Sequence, residues 1–354
     1  MAMRLLCLLA HLSLTLAQNG NSVYKQRLTG ADMDSGIRWN VAGTDLGIPY
    51  VLENNISIGF LFGDTFSSPF PSPSDWRSPV MLRSASRPGD PDGIVFDSAA
   101  GVPPGDGMAP ALMPNGYDGP DPWGGQEHTV IPNDGIGFPE TGDQIVSYMS
   151  ISGGFDDGVF RTNYAGLAHS TDGNSFARLD TRWHNTGDNL DPFQMWTMQR
   201  DGDWVYVFSV RAGRQHGPMM LQRVPWDRML DREAYEGWGW DGADWAWGRP
   251  CTPILEGTFG EPSVRRLSDG TWAMVYLRLD PGPAIVSRTA AGPDQVWSEE
   301  TVQVTWQQEP FLYGGFIHPW STSQPNDLHL MVSKWVRSDD LPAAYHVSHY
   351  VGTL

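Results

Sequence analysis

The sequence predicts an all-β chain folded as a five-bladed β-propeller, and three observations support that prediction. The first is a turn followed by alternating apolar residues, found five times: after Asn54-Asn55, Thr141-Gly-Asp, Asp201-Gly-Asp, Asp269-Gly-Thr and Pro325-Asn-Asp. Each reads as a hairpin turn feeding a strand. The second comes 16 to 26 residues after the start of each turn, where a short apolar run meets a basic residue: Val80 to Arg83, Gly166 to His169, Met220 to Arg223, Ile285 to Arg288 and Tyr345 to His349. Two signatures repeated in the same order imply five sheet units, and a radial array of sheets is a propeller. The third is composition: 16 Trp and 40 Gly with 18% charged residues describe a loop-rich β protein with aromatic surfaces. No amphipathic helical pattern interrupts the repeat.

Taken in chain order, residues 1–17 come first. They carry one Arg, an apolar run and the small-residue site Leu-Thr-Leu-Ala17, the pattern of a secretory signal peptide. Export is therefore expected, with a mature chain from Gln18. A mis-set start on a virion-associated protein is the alternative, because His11 interrupts the apolar run. Residues 18–354 are long enough for one large β domain with its own core. Cys7 leaves with the leader and Cys251 remains alone, so no intramolecular disulfide is expected. A net charge of −18 argues against nucleic acid or an anionic membrane surface as partner. No later apolar run is long enough to span a bilayer. Residues 67–126, rich in Pro, Gly and Asp, read as a long insertion between the first and second units, and Trp226 to Trp247 as a second insertion dense in Trp and acids.

The first hairpin carries the most informative pattern. Asn54-Asn55 suits a two-residue turn, and that register sets Asp45 opposite Asp64 at the open end. Like charges opposed across a ladder destabilise it by up to about 1 kcal/mol. The same two acids are also what a frayed ladder with two turn caps would present. Propellers bind ligands at one mouth of the central channel, where the starts of the blades converge. Polar residues stand at the starts of the other units too: Glu127 and His128, Gln194 and Trp196, Glu261, and Tyr313 and His318. Taken singly, each is equally well a satisfied turn acid or core residue. The sequence holds no zinc or calcium motif and no nucleophile elbow, so neither metal nor cofactor is expected.

The runs GTDLGIP, LFGDTF, WRSPVMLRS, E-x-T-x-I-P at Glu127, GEPSVRRL and LYGGFIHPWS span Gly43 to Ser321. In these runs the chain resembles a secreted domain family long described as of unknown function and associated with inverting endo-D-arabinanases. The resemblance implies a five-bladed propeller that cleaves the α-D-arabinofuranosyl chains of arabinogalactan and lipoarabinomannan, with Asp45 and Asp64 matching the two catalytic acids. Trp76 and Arg77, in the third run, join the expected substrate-binding set. The segment DPFQMWTM at the third unit fits loosely. Glycoside hydrolysis needs one carboxylic acid and one carboxylate, and an inverting pair stands about 6.5–9.5 Å apart, against about 5–5.5 Å for a retaining pair. Inversion therefore requires the strand ends to splay, which Gly43 and Gly63 would permit. Asp64, among Phe60, Phe62 and Phe66, is assigned as acid because an apolar setting raises a carboxyl pKa. Asp45 is then the base. The rivals are a non-catalytic glycan-binding propeller and a sialidase-like hydrolase recruiting Arg77, Arg211 and Arg278 for an anionic sugar. The expected partner is a polysaccharide, and the expected state is a monomer.

Overall fold

The computed structural model describes residues 19–72, 74–114, 127–154, 158–335 and 345–354. Residues 1–17 and the end of the first insertion lie outside the described set. The chain begins with strand β1 (Val23–Arg27) and a six-residue helix α1 (Asp34–Trp39), then lays down five antiparallel sheets in succession. Blade 1 is β2 (Gly43–Val51), β3 (Ile58–Phe66), β4 (Val80–Ser84) and β5 (Ser98–Ala99); blade 2 is β6 (Thr129–Phe138), β7 (Asp143–Gly153), β8 (Arg161–Ser170) and β9 (Ala177–His184). Blade 3 is β10 (Met195–Asp201), β11 (Trp204–Val210) and β12 (His216–Pro225), extended by the hairpin β13 (Glu236–Trp240) and β14 (Trp245–Trp247) and by β15 (Leu255–Thr258), which also pairs with β12. Blade 4 is β16 (Ser263–Arg266), β17 (Trp272–Arg278), β18 (Ala284–Ala290) and β19 (Thr301–Thr305). Blade 5 is β20 (Leu312–Ile317), β21 (Leu328–Lys334) and β22 (His346–Gly352), and β1 pairs with β22 as its outermost strand, closing the ring.

This is the five-bladed propeller the repeat predicts. The two repeated signatures fall on the second strand of each blade (β3, β7, β11, β17, β21) and on, or at the head of, the third (β4, β8, β12, β18, β22). These middle strands are buried on both faces because neighbouring blades cover them, so they read as near-continuous apolar runs such as WVYVFSV in β11. Between blades the core is aromatic and aliphatic: Tyr50, Phe60, Leu82, Tyr148 and Phe316 belong to one buried cluster, and Phe208, Trp272, Met274 and Val286 to another. Two expectations need correction. The insertion 67–126 contains strands β4 and β5, the outer half of blade 1. The first hairpin turns through four residues, Glu53 to Ile56, with Asn55 alone at positive φ (59°), because the Asn54 side chain accepts from the backbone N–H groups of Ile56 and Ser57.

The first strand of every blade lines the central channel, and all five run in the same direction along it. Their N-terminal ends therefore meet at one mouth and their C-terminal ends at the other. The blades are also tied across the channel. Arg265 on β16 makes a two-pronged ion pair with Asp134 on β6 (2.8 and 2.9 Å) and donates to the Pro49 carbonyl on β2 (2.8 Å).

Candidate functional site

At the N-terminal mouth, Asp45, Leu46, Asp64, Ile131, Ile151, Phe160, Glu261 and Tyr313 line a cavity of about 30 Å³. That is room for a water molecule. Blades 1, 2, 4 and 5 each contribute at least one of these walls.

The acids reach the cavity through a distortion of the first hairpin. Its register is regular at both ends, Gly43↔Phe66 and Thr44↔Thr65 at the mouth, Ile48↔Leu61 to Val51↔Ile58 below. Between Thr44 and Leu46 strand β3 carries one extra residue, and between Leu46 and Ile48 strand β2 carries one. Asp45 and Asp64 sit in the first of these bulges and are not ladder partners as the undistorted register predicts. Bulges re-aim side chains and cluster beside active sites. Here the distortion forces Leu46 to φ 61°, a conformation that costs a branched residue energy and persists because its surroundings impose it. Gly63 leaves room for the Asp45 carboxyl at the same place, since a methyl on it would meet Asp45 Oδ1. Gly43 instead accommodates the backbone of Ser68 and Pro69.

Both carboxyl groups are perturbed. Burial, with the nearby Asp64 charge added, pushes Asp45 well above the usual carboxylate range; Asp45 is 3% exposed. Its Oδ2 accepts a hydrogen bond from the Tyr345 hydroxyl (2.6 Å), while Oδ1 is buried with no partner. Burial pushes Asp64 up to about 6, against the lowering effect of the Trp76 indole N–H, which donates to Oδ1 (2.7 Å).

Of the other residues singled out in the sequence, Glu261 and Tyr313 line the cavity. Trp76 stands behind Asp64, edge-on to His128 with ring centroids 5.1 Å apart. Five lie elsewhere, each for a stated reason. The Arg77 guanidinium is engaged by the carbonyls of Ala109 and Asn40 (2.6 Å each) and anchors the loop after β3. Glu127 forms a buried two-pronged ion pair with Arg178 (2.7 and 2.6 Å). Gln194 and Trp196 are core residues, Gln194 bonded to Trp183 and Asp191, and Trp196 packed on Trp183 at 4.5 Å. His318 is fully buried against Phe60 and held neutral by that burial. The arginines of the sialidase reading do not gather: Arg77 is occupied as above, Arg211 binds the carbonyls of Leu190 and His216, and Arg278 pairs with Glu300.

Two site residues were missed. Tyr345 heads the fifth apolar run, but nothing in that run marks its hydroxyl. Arg214 comes from the turn Ala212–Arg214 between β11 and β12, where Gly213 (φ 73°) and Arg214 (φ 55°) are both left-handed. That turn brings the guanidinium onto Glu261 (2.9 and 3.1 Å) and over the Tyr313 ring at 3.9 Å. Blade 3 thus reaches the mouth region through this turn and not through the segment at Gln194. The Ala-Gly-Arg turn signal was the available clue. Among the described residues no group of His, Cys, Asp and Glu is arranged to hold a metal ion, and no helix is long and apolar enough to cross a membrane.

A family model described as a domain of unknown function, DUF4185, matches residues 31–350. A relative from Aspergillus versicolor, named notoamide biosynthesis cluster protein J', is 58% identical over 99% of this chain and 98% of its own length. Among solved structures, a Bacteroides ovatus protein superposes with a TM-score of 0.61 at 14% identity, covering 89% of this chain and 86% of that one. The α-L-arabinofuranosidase of Podospora anserina has a TM-score of 0.50 at 11% identity over 95% and 98%. At these identities the structural likeness is one of fold.

Proposed function

From the premise that this chain belongs to the DUF4185 family, we propose that it is a glycoside hydrolase whose acid and base are Asp45 and Asp64. The observation that carries the reading is two carboxyl groups on one cavity whose surroundings push both upward and to different extents. Pairs of titratable groups pushed apart are how a site holds one acid and one base at the same pH. Near neutrality Asp64, at about 6, is mostly ionised, while burial and the neighbouring Asp64 charge favour the protonated form of Asp45. We therefore assign Asp45 as general acid and Asp64 as general base, the reverse of the roles expected from the phenylalanines around Asp64. In one turnover Asp45 gives its proton to the leaving glycosidic oxygen as the carbon–oxygen bond breaks. A water molecule attacks the anomeric carbon and passes a proton to Asp64. The two carboxyl groups then exchange one proton with solvent. The strand ends stay paired at Gly43↔Phe66 and Thr44↔Thr65 and do not splay. The inverting version, which needs space between the acids for that water, rests instead on the bulge that takes Asp45 and Asp64 off the ladder register and on a cavity with room for one water.

For substrate, we propose internal α-D-arabinofuranosyl linkages of cell-wall arabinan, on the resemblance of the motif runs and the fold shared with an arabinofuranosidase. Glu261 and its ion-pair partner Arg214 are the groups we assign to the sugar hydroxyls. Incubation with purified arabinogalactan, with products sized and their anomers followed by NMR, tests this; binding without new reducing ends would select the lectin reading. A second reading rests on the Aspergillus relative, whose name places it in a notoamide biosynthesis cluster. Under it the same acids act on a small molecule. Cleavage of aryl arabinofuranosides with the polymer left intact would select it. We also propose export with removal of residues 1–17; an intact mass retaining Met1 in the exported protein would overturn that.

A further inference from the structure

We propose that Tyr345 is a positioning residue that keeps the acid proton of Asp45 on Oδ1, and this inference rests on the hydrolase reading. Tyr345 is 1% exposed and fixed at both ends: its carbonyl accepts from the Thr44 N–H (3.2 Å), and its ring lies against Phe66 with centroids 6.0 Å apart. Its hydroxyl donates to Asp45 Oδ2 at 2.6 Å. Among the described residues that oxygen is the phenol's hydrogen-bond acceptor. The phenol keeps its proton, because burial and then the charges of Asp45 and Asp64 raise it well above the ordinary tyrosine value.

A gap of 2.6 Å holds one hydrogen, and the phenol supplies it. The proton of neutral Asp45 is then confined to Oδ1, the oxygen with no protein partner. An acid whose proton could sit on either oxygen would be in the wrong tautomer for part of the time. Four further groups face Asp45: Asp64 from β3, Glu261 from the turn before β16, Arg214 from the β11–β12 turn, and Tyr313 from β20. Asp64 and Glu261 hold the proton on, while Arg214 and the Tyr345 bond favour its loss. Tyr345 is the one of these that contacts Asp45 by a hydrogen bond, so it both orients the proton and sets how readily it leaves.

Tyr345→Phe keeps the ring and deletes the bond. Turnover should fall about tenfold with KM unchanged, and the alkaline limb of the kcat profile should move up by about one pH unit as Asp45 loses a partner for its charged form. In an Asp45→Asn background the same substitution should cost no further turnover. A merely structural tyrosine would lower the melting temperature without moving the profile. Independently of any substrate, the ¹³C carboxyl signal of Asp45, assigned by its loss in Asp45→Asn, should titrate higher in Tyr345→Phe. An unmoved titration in a folded variant overturns the proposal. If that variant fails to fold, 3-fluorotyrosine at 345 keeps the donor and strengthens it, and Asp45 should then titrate lower; no change would again overturn it. Should the wild type release nothing from any glycan, the hydrolase reading falls while the titration still decides whether Tyr345 governs this proton.

Discussion

Asp45 and Asp134 are the same residue type on channel-lining strands of adjacent blades, exposed to 3% and 1% respectively. Asp134 accepts five hydrogen bonds, from the N–H groups of Gly135 and Met198, the Thr197 hydroxyl and both terminal nitrogens of Arg265. Asp45 accepts one, and its other oxygen has none. Burying a carboxylate is expensive unless it is paired and bonded, so the two sites mark opposite uses of the same chemistry. Deep in the channel the charge is compensated and joins four blades. At the mouth the carboxyl has one partner and burial favours its protonated form instead, a displaced equilibrium of the kind that marks a candidate functional site.

The comparison breaks most visibly at Arg265. Arg265→Met leaves Asp134 buried without its counter-ion, and losing one partner of such a pair costs about 3–5 kcal/mol. Urea unfolding should show a loss of that size. A change under about 1 kcal/mol would mean the pair is not what holds the channel together.

At the mouth the expected effects reverse. Asp45→Asn and Asp64→Asn should each lower turnover by about 10²–10⁴-fold, as loss of a general acid or base does, with no loss of stability. If the acids only cap turns, activity stays near normal and stability falls by about 0.5–2 kcal/mol. Gly63→Ala lies between these cases. The added methyl meets Asp45 Oδ1, the movable end of a side chain, so the carboxyl should turn away at a cost of about 1–3 kcal/mol or less. Turnover should drop more than the melting temperature suggests, because displacement of about 1 Å at a reacting group can cost about 10²-fold.

This contrast also explains what could be read in advance. The blades were legible because turn chemistry and alternation recur with the fold, and the nearness of Asp45 and Asp64 because the hairpin pairing puts both at one end. The bulge was not legible: nothing in Asp45-Leu46-Gly47 announces that Leu46 will be left-handed. Nor was the split between working and compensated acids. Glu127 and Asp45 look equivalent as polar residues at blade starts, and only the arrival of Arg178 from β9 beside one of them, 51 residues away in sequence, separates them. Closure by β1 was missed because VYKQR carries no apolar stripe; its side chains are mostly exposed at the outer edge.

The smallest effect sharpens the comparison through pH. Asp64 has its carboxyl raised from 3.8 to about 6, chiefly by burial. A group raised on folding binds its proton more tightly in the native state, so its contribution to stability is complete below the unfolded value. That contribution disappears as pH rises from about 4 to about 6. Asparagine cannot ionise, so Asp64→Asn should match the wild type near pH 4 and gain on it above pH 6, by on the order of 1 kcal/mol once partial solvent access is allowed for. In thermal melts that is a rise of about 2 °C. Asp45→Asn should show the same sign, because burial raises the Asp45 carboxyl too. Asp134→Asn should behave oppositely, losing stability at neutral pH as Arg265 is left without its counter-charge. Parallel curves for Asp64→Asn and Asp134→Asn across pH 4 to 8 would show that the two buried acids differ only in position, and the division between a working and a compensated carboxylate would have to be given up.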